Sequence, residues 1–163
     1  MSTLYVDNLQ PNLGSRVMAS GHVVQTVEHR FDSNHRNATS SNSYVATQIT
    51  GAITPTSSNS KILVQVFTSG NNNNSSGHEL RATIYRDSPN GGNLFSQDNY
   101  VMVGSQSSAN RIHVPLSMSA LDSPNTTSEV TYSVYFKSTS SSSVEIPSHT
   151  NSASVLILQE IAG

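Results

Sequence analysis

The fold of this chain is constrained most strongly by short runs in which apolar and polar residues alternate. Such runs indicate a β structure. The segment 130–136 has an apolar or aromatic residue at every second position, and the segment 112–118 repeats the pattern. Successive side chains of a strand point to opposite faces of a sheet, so a period of two is typical of a strand with one buried face. Similar runs recur along the chain, and no stretch has a convincing helical period. The pattern predicts about nine short strands and an all-β fold.

The residues between these runs are polar but mostly uncharged. Ser, Asn and Thr occupy 31, 16 and 14 positions, whereas charged residues make up only 11% of the chain. This composition occurs in disordered chains and also in β proteins with Ser- and Asn-rich loops. Because the net charge is only −2, self-repulsion does not keep the chain open. The grouping of apolar residues into strand-length runs favours an ordered β domain.

The segment 54–67 shows how sharply loop and strand are separated. Pro55 cannot donate to a β ladder and is expected to end the preceding strand. The Ser and Asn residues at 57–60 can hydrogen-bond to their own backbone and form the turn. In the strand that follows, Ile62, Val64 and Val66 share one side, while Leu63 and Phe67 share the other. A strand with two apolar sides indicates the middle of a packed structure or a contact between subunits.

Regular short strands separated by turn residues predict a jelly-roll-like β-sandwich, with an immunoglobulin-type sandwich as the alternative. The first 20 residues differ from the rest. They contain spaced apolar residues, but Pro11 and Gly14 prevent an amphipathic helix. The predicted organisation is therefore an extended N-terminal arm at 1–20, followed by a single β-sandwich domain at 21–163.

Composition and charge argue against several classes of partner. The eight basic residues are spread along the chain without a cluster, so no nucleic acid is expected as a partner. The absence of Cys excludes disulfides and thiolate metal sites. No apolar run approaches the roughly 18 residues that a membrane span needs, and the N-terminus lacks the features of a secretory signal. The chain is therefore expected to bind no membrane.

No catalytic or cofactor-binding motif is present, so no catalytic residue, no cofactor and no enzymatic activity are predicted. A suggestive cluster is formed by His29, Asp32 and His35, whose imidazole and carboxylate groups are of the types that bind divalent metals. Arg30 and Arg36 interrupt this cluster and repel a cation. The favoured interpretation is a polar strand end and loop, and no metal site is predicted.

Carbohydrate binding is a further alternative, because jelly-roll domains often act as lectins. Sugar-binding faces use exposed aromatic rings, and this chain has no Trp but six Tyr. Tyr132 is in phase with an apolar run and is expected in the core. Tyr85 and Tyr135 lie on the polar side of their strands and are expected at a contact surface, where contact between subunits is favoured over sugar.

Five segments occur in a fixed order that covers nearly the whole chain: MSTLYVDNLQP, ASGHVVQTVEHRF, ITPTSSNSKILVQV, LDSPNTTSEVTYSVYF and ASVLILQEIAG. Together they resemble a family of small structural proteins of tailed bacteriophages, especially phages of cyanobacteria and marine bacteria. The resemblance implies a virion component, either a head decoration (cement) protein or a tail-fibre-like protein. It also implies a trimeric β-sandwich without a cofactor.

One arm and one domain, without the shaft of a tail fibre, favour a homotrimeric cement protein of the capsid surface over a short receptor-binding tail fibre. A lectin-like module outside a virus and an enzyme are less favoured. The expected partners are the chain itself, the major capsid protein or another virion protein through the arm, and, for the tail alternative, a host surface glycan. Assembly contacts are predicted at ten positions: Leu4, Val6, Leu9, Leu13, Leu63, Phe67, Tyr85, Tyr135, Leu156 and Leu158.

Overall fold

The computed structural model describes residues 19–72, 78–87, 92–95, 101–105 and 112–163, and these residues contain strands but no helix. None of them therefore forms a helix that could cross a membrane. The all-β prediction is confirmed. Ten strands follow one another along the chain: β1 (Val23–Phe31), β2 (Asn37–Thr39), β3 (Val45–Ile53), β4 (Lys61–Asn72), β5 (His78–Arg86), β6 (Val101–Ser105), β7 (Ile112–Asp122), β8 (Val130–Ser138), β9 (Val144–Ile146) and β10 (Ser154–Ile161).

The strands form two antiparallel sheets. In the six-stranded sheet the order is β1-β10-β4-β9-β2, and β7 pairs with β4. In the four-stranded sheet the order is β3-β8-β5-β6. Without the short strands β2 and β9, the layers are β1-β10-β4-β7 and β3-β8-β5-β6, and the chain passes repeatedly between them. This is a two-sheet jelly-roll-like sandwich, as the turn spacing predicts.

The hydrophobic core lies between the two inner faces. From the six-stranded sheet, Ile62, Val64 and Val66 of β4 are fully buried. From the four-stranded sheet, every second residue of β8 from Val130 to Phe136 is at most 3% exposed. Burying a large apolar side chain stabilises a fold by about 1.5–3 kcal/mol, so the alternation read from the sequence accounts for the packing of these two central strands.

Two bulges change the phase of the flanking strands. The register of β1 against β10 shifts between Val23 and Gln25, and that of β3 against β8 shifts between Ala46 and Thr50. As a result Val24 is buried at 6% exposure, whereas Val23 is 53% exposed. A strict period of two predicts that Val23 shares a face with Val27 and Phe31. The structure corrects this prediction, because Val27 and Phe31 pack against the core and Val23 faces outward.

The short strands β2 and β9 were not predicted. The first lies in the polar segment between β1 and β3, and the second follows the Ser-rich loop after β8. They pair with each other, and β9 also pairs with Asn71 and Asn72 at the end of β4. Three-residue strands are too short to show a period of two, and only their partners define them.

The buried carboxylate of Glu160 fastens the turn after β3 to β10. Its Oε1 accepts hydrogen bonds from the Thr56 backbone N–H at 2.8 Å and from Thr56 Oγ1 at 2.7 Å, and its Oε2 accepts one from Gln25 Nε2 at 2.7 Å. Burial alone would raise the pKa of this carboxyl group. The polar groups of Ser60, Thr56 and Gln25 stabilise the ionised form more strongly, so the pKa is lowered overall.

The lowered pKa of Glu160 leads us to expect that the protein loses part of its free energy of unfolding in acid. Because the pKa of Glu160 is lower in the folded state, ionised Glu160 stabilises the fold. This stabilisation is fully present at pH values above the ordinary pKa of 4.5. The contribution is lost as the pH falls through the folded pKa. We expect Glu160→Gln to reduce the free energy of unfolding most at neutral pH, and the difference from wild type to shrink in acid. Urea titrations at a series of pH values would measure it. Glu129→Gln, at an exposed carboxyl of the loop before β8, is the matched control, and a pH-independent difference for Glu160→Gln would contradict the assignment.

Candidate functional site

The outward side of the six-stranded sheet carries an apolar surface built from neighbouring strands. Phe67 of β4 is the register partner of Val155 on β10, and Leu63 of β4 is the partner of Leu121 on β7. Partners of this kind point to the same side of a sheet. We call the surface the outer apolar face and define it by Val23, Leu63, Phe67, Leu121, Val155, Ile157 and Ile161.

This face contains the large apolar side chains that are most exposed in the described part of the chain. Val23, Phe67 and Leu121 are 53%, 47% and 58% exposed, respectively. Its margin carries both signs of charge, from Glu28 and Arg30 on β1. Gln65, Gln159 and Ser119 lie among the apolar residues of this face, on the same side of the sheet. An exposed sheet face with several large apolar side chains is of the kind that marks a site of association.

Partly buried polar contacts hold the end of β7 that presents Leu121. The neighbouring Asp122 accepts a hydrogen bond from Tyr132 Oη at 2.8 Å, and its Oδ1 and Oδ2 lie 3.0 and 2.9 Å from Arg86 Nη1. Tyr132 and Arg86 belong to the four-stranded sheet, so the cluster ties the two layers together. Burial, followed by the hydrogen bond to Asp122, raises the pKa of Tyr132, and the phenol remains a donor.

The structure separates the predicted contacts of the six-stranded sheet into two groups. Leu63 and Phe67 lie on the outer apolar face. Leu156 and Leu158 are 1% and 0% exposed and belong to the core, so the prediction that they form a subunit contact is corrected. The outward residues of β10 are instead Val155, Ile157, Gln159 and Ile161. The four predicted contacts of the arm, Leu4, Val6, Leu9 and Leu13, lie outside the described residues.

Leu121 is a surface residue that the sequence did not point to. The clear alternation of β7 suggested an end at Met118, whereas the strand continues to Asp122 because it pairs with β4 along its whole length. The alternation of polar and apolar residues does continue through Ala120. This continuation indicates a longer strand in which Leu121 lies on the polar, outward side.

The outward side of the four-stranded sheet carries a cluster of tyrosines. The rings of Tyr85 and Tyr135 are 4.7 Å apart between centroids, and those of Tyr44 and Tyr85 are 6.3 Å apart in an edge-on arrangement. Lys137 Nζ lies 4.7 Å from the centroid of the Tyr44 ring. Tyr85 and Tyr135 are half-buried and face outward, which agrees with their assignment to the polar side; contact with a partner stays a prediction.

A shallow cavity of about 310 Å³ opens beside this cluster, lined by Asn42, Arg81, Lys137, Ser138 and Thr139. Arg81 donates to Glu79 Oε2 from Nε at 3.0 Å and from Nη2 at 2.8 Å. The cavity thus lies at the end of β8, where this strand meets the loop before β3 and the beginning of β5.

The possible metal ligands of the sequence are not brought together. The His29 ring packs against Gly51, where a Cβ would stand 2.3 Å from the imidazole. Asp32 Oδ1 binds Arg30 Nε at 2.5 Å, and His35 Nε2 lies 2.9 Å from Ser154 Oγ. Within the described ranges, no three His, Asp or Glu side chains are placed to hold a metal ion.

The contact between His35 and Ser154 resembles part of a catalytic dyad, but it lies inside the protein. His35 is 3% exposed and Ser154 is 0% exposed, so a substrate cannot reach them. Ser154 Oγ also lies 2.6 Å from Thr68 Oγ1. Burial lowers the pKa of His35 and favours a neutral ring, which suits a structural hydrogen bond between the loop after β1 and β10.

No protein-family model matches the sequence, and no curated protein matches it significantly. Solved structures with a similar chain path include those of the Gx and Gt strains of infectious bursal disease virus. They are both 10% identical, with TM-scores of 0.43 and 0.44. The VP2 subviral particle of the same virus is 11% identical with a TM-score of 0.42. These matches cover 98% of this chain and 42–43% of the viral chains, so this chain spans about two fifths of their length. Likenesses with a TM-score below 0.5 assign neither a family nor a function to this chain.

Proposed function

We propose that this chain is a structural protein of a virus particle that associates with copies of itself through the outer apolar face. Its specific role, in this proposal, is that of a homotrimeric cement protein on the head of a tailed bacteriophage. The observation that carries the proposal is the cross-strand apolar surface around Phe67 and Leu121, since the core of the sandwich is already complete without it.

A second copy of the chain is the occupant that best suits this face. The apolar centre would be removed from water at about 25 cal/mol per Å². At the margin, Glu28 lies beside Arg30, and Lys61 at the start of β4 is exposed. Because both signs of charge border the same surface, copies related by rotation can place opposite charges together.

The first described residues are fixed at the edge of this face. Gly21 N donates to Ala162 O at 2.8 Å, and Val23 pairs with Ile161. The proposal therefore gives the arm, which precedes Ala19 in the sequence, the role of contacting a neighbour. Fully extended, 18 residues span about 60 Å, which is long enough to reach a neighbouring subunit or the capsid shell. The arm sequence combines apolar residues with Pro11 and Gly14, which suits strand addition to a partner sheet.

Two measurements test the proposed function. Light scattering of the purified chain should give three times the protomer mass, and electron microscopy with a labelling antibody should show the chain over the phage head. A monomer mass at micromolar concentration would overturn self-association. Label at the tail alone would overturn the cement role and support the tail-fibre alternative, which the outward tyrosine cluster favours.

Removal of the arm is expected to separate folding from attachment. A chain beginning at Ala19 should keep its β-sheet circular dichroism spectrum, because the core lies within the described strands. It should bind particles that lack the protein much more weakly than the full chain in co-sedimentation. A full-length variant with Leu4, Val6, Leu9 and Leu13 replaced by Ser tests whether the apolar side chains are responsible. Undiminished binding of the truncated chain would show that the domain itself carries the contact.

A further inference from the structure

Two cationic residues occupy opposite positions on neighbouring strands of the four-stranded sheet. Arg81 of β5 and Lys137 of β8 are direct cross-strand partners. In this arrangement the Cβ atoms are about 4.5–5.5 Å apart, and like charges directly opposite each other destabilise the sheet. Both residues line the cavity of about 310 Å³ at this end of the sheet. A like-charge pair beside an open cavity indicates a place where a bound anion would relieve repulsion.

The charges around the cavity leave it electropositive. Glu79 pairs with Arg81 at 2.8 Å and compensates one of the two cations. Lys137 takes part in none of the ion pairs of the described residues. Its ammonium group is held over the Tyr44 ring at 4.7 Å, a cation–π contact that fixes the charge near the cavity without neutralising it.

Aromatic rings and hydroxyl groups continue the surface away from the cavity. The Tyr85 and Tyr135 rings lie 4.7 Å apart between centroids. Farther along the same outward face, Thr50 Oγ1 and Ser133 Oγ are 2.8 Å apart, and Ser133 is the register partner of Tyr85. Tyrosine rings offer apolar contact area together with a polar group. These three kinds of group are complementary to an acidic sugar. The cations suit its acidic group, the aromatic rings suit its C–H face, and the protein hydroxyls suit its hydroxyl groups.

We infer that this surface binds an anionic carbohydrate. The acidic group of the sugar lies between Lys137 and Arg81, and a sugar ring packs against Tyr135 and Tyr85. The site is on the sheet opposite the outer apolar face, so the inference does not depend on the proposed structural role, and failure of either leaves the other standing.

Titration of the ¹⁵N-labelled chain with trigalacturonic acid, followed by amide shifts in NMR spectra, tests the inference. We expect saturable shifts at Asn42, Ser138 and Thr139. Loss of a charge-assisted hydrogen bond corresponds to a roughly tenfold change in affinity, so Lys137→Gln and the methyl ester of the sugar should each weaken binding roughly tenfold. Lys61→Gln, at an exposed lysine of the other sheet, is the matched control and should leave the affinity unchanged.

The folding of the Lys137→Gln variant can be checked independently. This substitution removes one member of a like-charge pair and also the cation–π contact with Tyr44. Because the two effects have opposite signs, the melting temperature should change little. The inference is overturned if trigalacturonic acid gives no saturable shifts, if its methyl ester binds equally well, or if Lys61→Gln weakens binding as much as Lys137→Gln. Inorganic phosphate that binds as tightly as the sugar would also overturn it, because the site would then recognise a bare anion.

Discussion

Replacement of Phe136 by alanine is expected to lower the free energy of unfolding by about 3–5 kcal/mol, the range for a buried Phe→Ala change. Phe136 is 0% exposed on the inner side of β8, and its register partners are Val45 on β3 and Ala82 on β5. The substitution would leave a cavity in the middle of the four-stranded sheet. Because domains are commonly stable by only about 5–15 kcal/mol, the variant should unfold at a clearly lower urea concentration.

The neighbouring Tyr135→Ala is the matched control, since it removes an aromatic ring from the same strand on the opposite side. Tyr135 is half-buried and faces outward beside Tyr85, so we expect a loss of about 1 kcal/mol, the ordinary size for a substitution outside the core. A loss below about 1 kcal/mol for Phe136→Ala, or a larger loss for Tyr135→Ala, would contradict the inward direction of Phe136.

Replacement of Leu121 by arginine is expected to weaken self-association by a factor of about 100 or more while the protomer stays folded. Leu121 is 58% exposed, so the larger side chain fits the isolated protomer. In the proposed assembly, the substitution would bury a charge without a partner, which costs about 3–5 kcal/mol, or more than 100-fold in affinity. Sedimentation velocity over a range of concentrations would measure the change.

Ser128→Arg supplies the matched control for charge. Ser128 is exposed in the loop between β7 and β8, outside the outer apolar face, and the substitution adds the same positive charge. It should leave the assembly unchanged. If Leu121→Arg still sediments like the wild type, with its β-sheet spectrum intact, self-association through the outer apolar face is disproved.

The two proposed roles belong to the outward faces of different sheets: self-association to the six-stranded sheet and carbohydrate binding to the four-stranded sheet. Assembly through the six-stranded sheet would leave the tyrosine cluster and the cavity around Lys137 outside the contact between subunits. There they would be accessible to a carbohydrate. In this arrangement Leu121→Arg should weaken assembly without reducing sugar binding, and Lys137→Gln should weaken sugar binding without affecting assembly. The two substitutions therefore separate the proposals within one set of variants.

The sequence by itself determined the fold class and the phase of the side chains in the central strands. Every second residue of β8 from Val130 to Phe136 was assigned correctly to the core. Ile62, Val64 and Val66 of β4 were correctly placed on one common side, which the structure shows to face the core. The physical reason is that the direction of a side chain in a regular strand depends only on its position within that strand. The same local reasoning placed Leu63, Phe67, Tyr85 and Tyr135 on outward sides. It failed for Leu156 and Leu158, because a strand with two apolar sides does not reveal which side meets the core.

Only the tertiary structure decided which residues from distant parts of the chain lie side by side. The pairing of Leu63 with Leu121, and of Arg81 with Lys137, follows from strand order and register. The bulge after Val23, the short strands β2 and β9, and the hydrogen bonds of Glu160 to Gln25 and Thr56 have the same origin. No local pattern encodes such neighbours. They depend on the free energy of two complete sheets packed against each other, in which paired strands are far apart in the sequence.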